Sequence, residues 1–365
     1  MKAFIADKIF TGEKWLPNHA VLLDNKQIVD VIPISELSSE FSTDEFKKCL
    51  LVPAFIDLQI YGANKKLFAV FPETDSLYQL SEHCRNTGTA YCLPAVATNK
   101  KEVFYKTIDA TKKYWDEGGE GILGLHIEGP WISKKKKGAH IESLIHSPTF
   151  AEVEELMIYG KGVIKMITIA PEVCSNEVID WILSHNVVIS AGHSNASYAQ
   201  AMQGFDNGIT AVTHLYNAMS GLNHREPGLV GAAFDHKNVM ASIIPDGHHV
   251  DYAALRIAKN IMGERLFAIT DAVTDTSEGY YQHQLAGDKY EAGGILSGSS
   301  LTMNKALQNL VDHAGVELNE AIRMCSLYPA KVLRMENELG KIQKGFKANM
   351  VVLNEKFEVQ KMIPE

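Results

Sequence analysis

Several features that assign a protein to a special class are missing from this sequence. No stretch of its 365 residues approaches the roughly 20 consecutive apolar residues of a membrane-spanning helix. The first residues lack the apolar run of a secretory signal peptide. There is no internal repeat, and the only low-complexity segment is Lys134–Lys137. We therefore expect a cytoplasmic protein that makes no membrane contact.

Cysteine and positive charge are both scarce. The five cysteines are odd in number and none forms a C-x-x-C pair, so we expect neither a disulfide framework nor a cysteine zinc site. The 35 lysines and arginines are outnumbered by 44 aspartates and glutamates, which gives a net charge of −9. Domains that bind nucleic acids are usually basic, so this balance argues against a nucleic-acid partner. An anionic substrate would need a local positive site.

The sequence does contain an alternation of short, β-rich apolar runs with stretches of helical periodicity. This alternation is typical of parallel βα units. Eight such runs predict an α/β fold, a (β/α)8 TIM-like barrel. The predicted strands lie within Leu51–Gly62, Thr89–Thr98, Ile122–Pro130, Val163–Glu172, Val187–Ser194, Thr210–Ala218, Val239–Gly247 and Leu266–Ala272. Predicted helices include Ser76–Asn86, Lys101–Trp115, Phe150–Tyr159, Ala196–Phe205 and Tyr252–Met262.

The two ends of the chain have a different pattern. Residues 2–33 and 348–362 contain short strand-like pieces instead of βα units. We expect both ends to pair in a small β-sandwich domain. The predicted domains are thus a small β domain of residues 1–51 and 341–365, and a metal-dependent catalytic barrel of residues 52–340.

Four predicted barrel strands end with ionisable residues, namely Glu128, His193, His214 and Asp271. Reactive residues of such barrels lie at the C-terminal ends of the strands. One carboxylate and two imidazoles suit zinc or a similar divalent ion and leave a position open for water. A single histidine at a strand end is more often a hydrogen-bonded core residue. Four such strand ends together favour a metal centre.

These residues lie in strings that resemble the N-acetylglucosamine-6-phosphate deacetylases of the amidohydrolase superfamily. The strings follow the family order over nearly the whole chain. They are Pro53–Gln59, His126–Trp131, Ala170–Glu172, Ser190–Ala196, Thr213–Met219, Arg225–Gly228, Asp246–Asp251, Thr270–Ala272 and Leu296–Ser299. The HxEGPW, AGHSNA and THLYNAM strings are together highly specific.

The resemblance implies a metal-dependent hydrolase of linear amides that converts N-acetylglucosamine 6-phosphate to glucosamine 6-phosphate and acetate. It implies that Glu128, His193 and His214 bind one divalent ion. Zinc is the expected ion, with iron, manganese, cobalt and nickel as alternatives. Asp271 is then the acid and base, and His140 stabilises the carbonyl oxygen. The implied substrate contacts are Ala139, His140, Asn217, Ala218, Arg225, His249, Leu296, Ser297 and Gly298.

The same resemblance implies a homodimer, with Arg225 and His249 acting close to or across its interface. Many amidohydrolases carry a His-x-His pair after the first strand that completes a two-metal site. Gln59 and Tyr61 occupy these positions here, and neither is a good ligand for a second zinc ion. The single-metal branch is expected to have Gln-x-Asn, from which Tyr61 departs.

Two alternatives to this function are open, one a related enzyme and the other a protein that is not an enzyme. An amidohydrolase could act on a related substrate such as N-acetylgalactosamine 6-phosphate, or on a cyclic amide. The cyclic amides are disfavoured because their enzymes usually have a two-metal site. A non-catalytic barrel that senses amino-sugar phosphates would be favoured by loss of a ligand or of Asp271, and all four residues are present.

Overall fold

The structure is a computed structural model that describes residues 1–364. Its strands are β1 (Lys2–Phe10), β2 (Trp15–Pro17), β3 (His19–Asp24), β4 (Gln27–Pro33), β5 (Ser42–Pro53), β6 (Phe55–Ile60), β7 (Gly62–Ala63), β8 (Lys66–Leu67), β9 (Thr89–Ala97), β10 (Leu125–Glu128), β11 (Ile164–Ile169), β12 (Val188–Ala191), β13 (Ala211–Val212), β14 (Met240–Ile243), β15 (Leu266–Ala268), β16 (Gln284–Ala286), β17 (Lys289–Ala292), β18 (Ile295–Ser299), β19 (Met350–Asn354) and β20 (Val359–Ile363). Its helices are α1 (Thr74–Asn86), α2 (Lys101–Asp116), α3 (Phe150–Tyr159), α4 (Asn176–Ser184), α5 (Tyr198–Asp206), α6 (Gly228–Asp235), α7 (Tyr252–Met262), α8 (Met303–Asp312), α9 (Leu318–Cys325) and α10 (Leu327–Val332).

Eight strands form one sheet in the order β6, β9, β10, β11, β12, β13, β14 and β15. Neighbouring strands from β9 to β15 pair in parallel. The two edges approach each other, because the backbone nitrogen of Asp271 donates to the oxygen of Gln59 at 2.9 Å and that of Tyr61 donates to the oxygen of Ala272 at 2.8 Å. The sheet is thus a nearly closed barrel. The predicted (β/α)8 fold is confirmed.

A helix lies between each pair of successive barrel strands, from α1 after β6 to α7 before β15. The five helices named from periodicity are present, with ends that shift by up to two residues. The sequence pattern did not identify α4 and α6. Six of the eight residues of α6 are buried and its sequence, GLVGAAFD, is apolar on nearly all sides. A helix of this kind has no polar stripe for periodicity to detect.

A second sheet follows the last barrel strand and was not predicted. Strands β16, β17 and β18 pair antiparallel in chain order. Tyr281 and Tyr290 lie in an apolar cluster with Leu67, Ala97 and Val273. Strand β18 carries Leu296, Ser297 and Gly298, so this sheet positions three of the predicted substrate contacts.

Strands from both ends of the chain form a seven-stranded sheet in the order β20, β19, β5, β1, β3 and β4, with β2 paired to β1. Strand β1 pairs with β5 in parallel and β19 pairs with β5 antiparallel. The sheet buries a core that contains Phe4, Ile9, Val21, Leu51, Ile342, Phe346, Met350 and Val352, among others. The expected pairing of the two chain ends is confirmed.

The chain forms two compact units. One contains Met1–Asp57, Cys84–Tyr91 and the described part of Thr302–Glu365, and the other contains Leu58–His83 and Cys92–Leu301. Domain boundaries at residues 51 and 341 stay a prediction. Among residues 1–364, no helix is both long enough and apolar enough to cross a membrane.

Candidate active site

Strand β10 brings two ionisable side chains into the barrel. Its sequence, Leu-His-Ile-Glu, is buried at every position. His126 and Glu128 point to the same face, because alternate residues of a strand do so. The ring nitrogens of His126 contact the backbone oxygen of Leu58 at 3.0 Å and the hydroxyl of Thr168 at 2.7 Å. Both nitrogens of His126 are therefore engaged in the barrel, and burial lowers its pKa to about 4.

Glu128 converges with His193 and His214, which follow β12 and β13. The Nε2 atom of His214 lies 3.0 Å from Glu128 Oε1 and 3.1 Å from His193 Nε2. His193 Nε2 lies 3.3 Å from the same carboxylate oxygen. Ligand atoms arranged tetrahedrally about 2.0–2.1 Å from a zinc ion are about 3.3 Å apart. The three atoms therefore have the spacing of a ligand set with one position left for water.

The ring of His193 is oriented by its second nitrogen. Nδ1 lies 2.9 Å from the backbone oxygen of Lys136, which can only accept a hydrogen bond. Nδ1 therefore carries the proton and Nε2 presents its lone pair, as metal-binding histidines do. His214 differs, because its Nδ1 is buried without a hydrogen-bond partner among residues 1–364. Its orientation therefore depends on the contacts of Nε2.

The carboxyl group of Glu128 is 1% exposed. Burial alone would raise its pKa, but the surrounding His193, His140 and His214 hold that pKa well below the usual value. Glu128 is therefore an anion at neutral pH, and an anionic oxygen with two imidazoles fits a divalent ion. Ligand atoms of Glu128, His140 and His193 also lie within 4.8 Å of one another. There are therefore two candidate ligand sets. Both contain Glu128 and His193, and the third member is His214 in one and His140 in the other.

Three of the predicted metal-binding and catalytic residues have an unusual backbone. His193, His214 and Asp271 have φ angles of 46°, 35° and 53°, in the left-handed region. Each such conformation costs about 1–3 kcal/mol and persists only where the surrounding structure enforces it. The backbone nitrogen of His214, for example, donates to the hydroxyl of Ser242 at 2.7 Å. Such strained residues are concentrated at functional sites.

Asp271 is held beside the metal-ligand candidates by Gln59. The side-chain nitrogen of Gln59 donates to Asp271 Oδ1 at 2.8 Å and to Glu128 Oε1 at 3.1 Å. One amide group therefore places the two carboxylates side by side. A carboxylate in this position can exchange a proton with a water molecule bound at the ligand set.

His140 lies on the loop after β10 and faces the other oxygen of Glu128. Its Nε2 is 3.2 Å from Glu128 Oε2, and its Nδ1 is 2.7 Å from the hydroxyl of Thr98. Burial lowers the pKa of His140 to about 4, so the ring is neutral. A proton on Nε2 satisfies both contacts, because the hydroxyl of Thr98 can donate to Nδ1. Gly129, at a φ of 79°, allows this pairing, since a Cβ there would lie 2.3 Å from Thr98 Oγ1.

A pocket of about 190 Å³ contains nearly all the residues predicted from the sequence. The predicted residues that line it are Glu128, Ala139, His140, His193, His214, Asn217, Ala218, His249, Asp271, Leu296, Ser297 and Gly298. Tyr61, Gly138 and Ile244 also line it and were not predicted as site residues.

Arg225 and His249, the predicted phosphate contacts, lie in different surroundings. Arg225 is exposed on the loop before α6. It is not among the described residues that line the pocket. His249 is largely buried, and its Nδ1 lies 2.6 Å from Asp246 Oδ2. Burial would raise the pKa of Asp246, but His249 and two backbone amides lower it below the usual value. An ionised Asp246 thus fixes the His249 ring at the edge of the pocket.

Similarity to known proteins extends over nearly the whole chain. The amidohydrolase family profile matches residues 50–363, and the NagA composite domain matches residues 1–47. The chain belongs to the amidohydrolase family. It is 33% identical to the N-acetylglucosamine-6-phosphate deacetylase of Haemophilus influenzae, over 98% of this chain and 96% of the relative. It is 31% identical to the N-acetylgalactosamine-6-phosphate deacetylase of Escherichia coli O157:H7, over 98% and 96%.

A solved structure gives the same result for this amidohydrolase. The crystal structure of the N-acetylglucosamine-6-phosphate deacetylase from Pasteurella multocida has a TM-score of 0.95 and is 30% identical. The similarity covers 99% of this chain and 97% of that one. The family resemblance found in the sequence motifs is confirmed.

Gln59 and Tyr61 are the site residues of this amidohydrolase that sequence reasoning described without assigning a role. The structure places both against Glu128. The hydroxyl of Tyr61 donates to Glu128 Oε2, and Gln59 Nε2 donates to the same hydroxyl at 2.8 Å. Their position could have indicated a role in the site, because Gln59 and Tyr61 lie at and just after the end of β6 and other strand ends of this barrel carry site residues.

Proposed function

We propose that this amidohydrolase deacetylates N-acetylglucosamine 6-phosphate to glucosamine 6-phosphate and acetate. The observation that carries the proposal is the convergence of Glu128, His193 and His214 beside Asp271 in one pocket. This chain is similar over nearly its whole length to proteins named for that activity.

In the proposed reaction, Glu128, His193 and His214 hold one divalent ion, which we expect to be zinc. Such an ion, when bound, lowers the pKa of a water ligand toward neutrality and thereby supplies hydroxide. Asp271 accepts the proton of that water and passes it to the amide nitrogen as the C–N bond breaks. The hydrogen bond from Gln59 orients the Asp271 carboxylate for both transfers.

His140 is proposed to stabilise the carbonyl oxygen of the substrate. Negative charge develops on this oxygen when the carbonyl carbon is attacked, and a positioned hydrogen-bond donor is worth most at that moment. The Nε2–H of His140 is such a donor, because Glu128 Oε2 can only accept from Nε2 and the contact with Thr98 holds the ring in place. The ring is neutral, and its one proton is on Nε2, from which it can donate to the carbonyl oxygen.

The remaining pocket residues are proposed to bind the sugar phosphate. His249 and Asn217 supply side-chain donors, Ala218 supplies a backbone amide, and Leu296, Ser297 and Gly298 lie along the lining with Ala139. Arg225 lies outside this pocket in the single chain. We therefore propose that it serves the pocket of a second protomer in a homodimer. The homodimer and the cytoplasmic location stay predictions from the sequence.

An acetate-release assay on purified protein tests the proposed function. The substrates should include N-acetylglucosamine and N-acetylgalactosamine, each with and without the 6-phosphate. The galacto substrate is the second candidate because a relative that is 31% identical carries that name. Fastest turnover of N-acetylglucosamine 6-phosphate supports the proposal, and no release from any phosphorylated sugar by metal-loaded protein contradicts it.

The protein is expected to hold one tightly bound divalent ion per chain. Gln59 and Tyr61 take the positions of a second pair of ligands, and both contact Glu128 directly. The measurement is elemental analysis of active protein after chelation, reloading and dialysis. Two tightly bound ions per active chain would refute the single-metal interpretation.

Replacing Arg225 with alanine is expected to raise KM for the 6-phosphate substrate by roughly ten- to 150-fold, which corresponds to a charged hydrogen bond of about 1.5–3 kcal/mol. Turnover of the unphosphorylated sugar should change little. Lys237→Ala is the matched control, because it removes an exposed positive charge outside the pocket. Equal weakening of both substrates would make Arg225 a structural residue.

A further inference from the structure

The two oxygens of Glu128 have different neighbours. Oε1 faces His193 and His214 at 3.3 and 3.0 Å, and Gln59 Nε2 lies 3.1 Å from it. Oε2 faces Tyr61 and His140, with the imidazole Nε2 at 3.2 Å. A carboxylate can bind one ion through one oxygen, chelate an ion through both, or bridge two ions. Its neighbours decide which of these occurs.

The direction of the Tyr61 hydrogen bond follows from the number of protons available. Gln59 Nε2 lies 2.8 Å from the hydroxyl oxygen and can only donate, so that oxygen accepts this bond. The one hydroxyl proton therefore goes to Glu128 Oε2. Gln59 also donates to Asp271 at 2.8 Å, which fixes the position of its amide group. Tyr61 thus has a single available arrangement, in which its proton is committed to Oε2.

This commitment bears on the choice between the two overlapping ligand sets. Glu128 and His193 belong to both sets, and the third member is either His214 or His140. His140 approaches Glu128 at Oε2, which is the oxygen that accepts the Tyr61 proton. The set with His214 uses Oε1.

We propose that Tyr61 is a positioning residue that selects the metal-ligand set. Its hydroxyl holds Glu128 Oε2 and confines the ion to Oε1, His193 and His214. His140 is thereby reserved for the substrate. This role explains why Tyr61 replaces the asparagine of the Gln-x-Asn pattern, because its phenol hydroxyl reaches the Glu128 carboxylate directly. The inference rests on the metal centre of the proposed function.

The test is Tyr61→Phe, which removes only the hydroxyl, with metal binding as the readout. Zinc affinity, measured by competition with a chelator, is expected to fall by about 10–100-fold, as when a partner of a metal ligand is lost. The visible absorption spectrum of the Co²⁺-loaded variant should differ from that of the wild type, because the coordination changes. Tyr281→Phe is the matched control. It removes a hydroxyl bonded to the backbone oxygen of Thr98 in the adjoining apolar cluster and leaves Glu128 untouched, so its zinc affinity and spectrum should match those of the wild type.

Substitution of His140 tests the choice of ligand set without relying on the Tyr61 variant. In the wild-type background, His140→Ala should lower zinc affinity by no more than the roughly 10–100-fold that loss of an outer hydrogen-bond partner costs, whereas His214→Ala should abolish tight binding. In the Tyr61→Phe background, His140→Ala should lower the affinity further. The inference is overturned if Tyr61→Phe keeps wild-type affinity and spectrum, or if His140→Ala alone weakens zinc as much as His214→Ala. Failure of the wild-type protein to bind any divalent ion would instead overturn the proposed function together with this inference.

Discussion

Asp271→Asn is expected to lower kcat by about 10²–10⁴-fold while the protein keeps its metal ion. Asparagine has the size and shape of aspartate, and its side-chain oxygen can still accept the hydrogen bond from Gln59. What it loses is the capacity to accept a proton from water and to return it to the leaving nitrogen. Because Asp271 is proposed to serve both proton transfers, the loss in kcat should lie at the upper end of this range.

Steady-state kinetics and metal analysis of the same preparation check this expectation. KM should change little, since the lost interaction belongs to the transition state. Asp288→Asn is a suitable control, because this carboxylate is 80% exposed and lies outside the pocket. An Asp271→Asn enzyme that kept its ion and more than about a tenth of wild-type kcat would assign the proton transfer to another group.

The second large effect is expected from Glu128→Gln. The substitution preserves the shape of the side chain but replaces an anionic oxygen ligand with a neutral amide. Because Oε1 is shared by His193 and His214, its loss leaves two imidazoles without the charged member of the set. Metal affinity should fall by more than the roughly 10–100-fold that loss of an outer hydrogen-bond partner costs. Activity should fall to the level of chelated wild-type protein.

Glu172→Gln is the matched control for this variant. Glu172 is also a carboxylate near the ligands, where it accepts from the hydroxyl of Ser194 at 2.7 Å and from the backbone nitrogen of Asn195 at 2.6 Å. It is not part of the metal-ligand set, so Glu172→Gln should retain one ion per chain by elemental analysis. If both variants retain the ion, Glu128 is not a metal ligand and the site needs a different assignment.

Much of the fold could be predicted because the signals are local. Each barrel strand is a short apolar run, and helices such as α7 carry a polar and an apolar face that periodicity detects. The failures have equally local causes. The helix α6 is buried on most sides, and the sheet β16–β18 consists of three- to five-residue strands with partly exposed, mixed polarity.

The candidate site could be predicted as a set of residues but not as a set of contacts. Glu128, His193, His214 and Asp271 were found because barrel geometry brings strand ends together. The contact between Gln59 and Asp271 joins positions 212 residues apart and exists only because the barrel nearly closes. Tyr61 and Glu128 are 67 residues apart and lie at the ends of β6 and β10, on either side of β9, so their contact exists only in the folded barrel. Arg225 shows the opposite limit, since its motif is in the sequence but the pocket of the single chain does not include it.

At His193, His214 and Asp271 the backbone is left-handed, so the side chains proposed to serve the reaction stand at positions where a non-glycine residue lowers stability. Glycine adopts such angles without the cost of about 1–3 kcal/mol that other residues incur. A glycine at position 193 or 214 would therefore relax the loop while it deletes a proposed metal ligand. The sequence that works best is then not the sequence that folds most stably. Directed evolution for heat resistance alone would drift toward inactive chains at these positions, so any such selection on this enzyme should score turnover in every round.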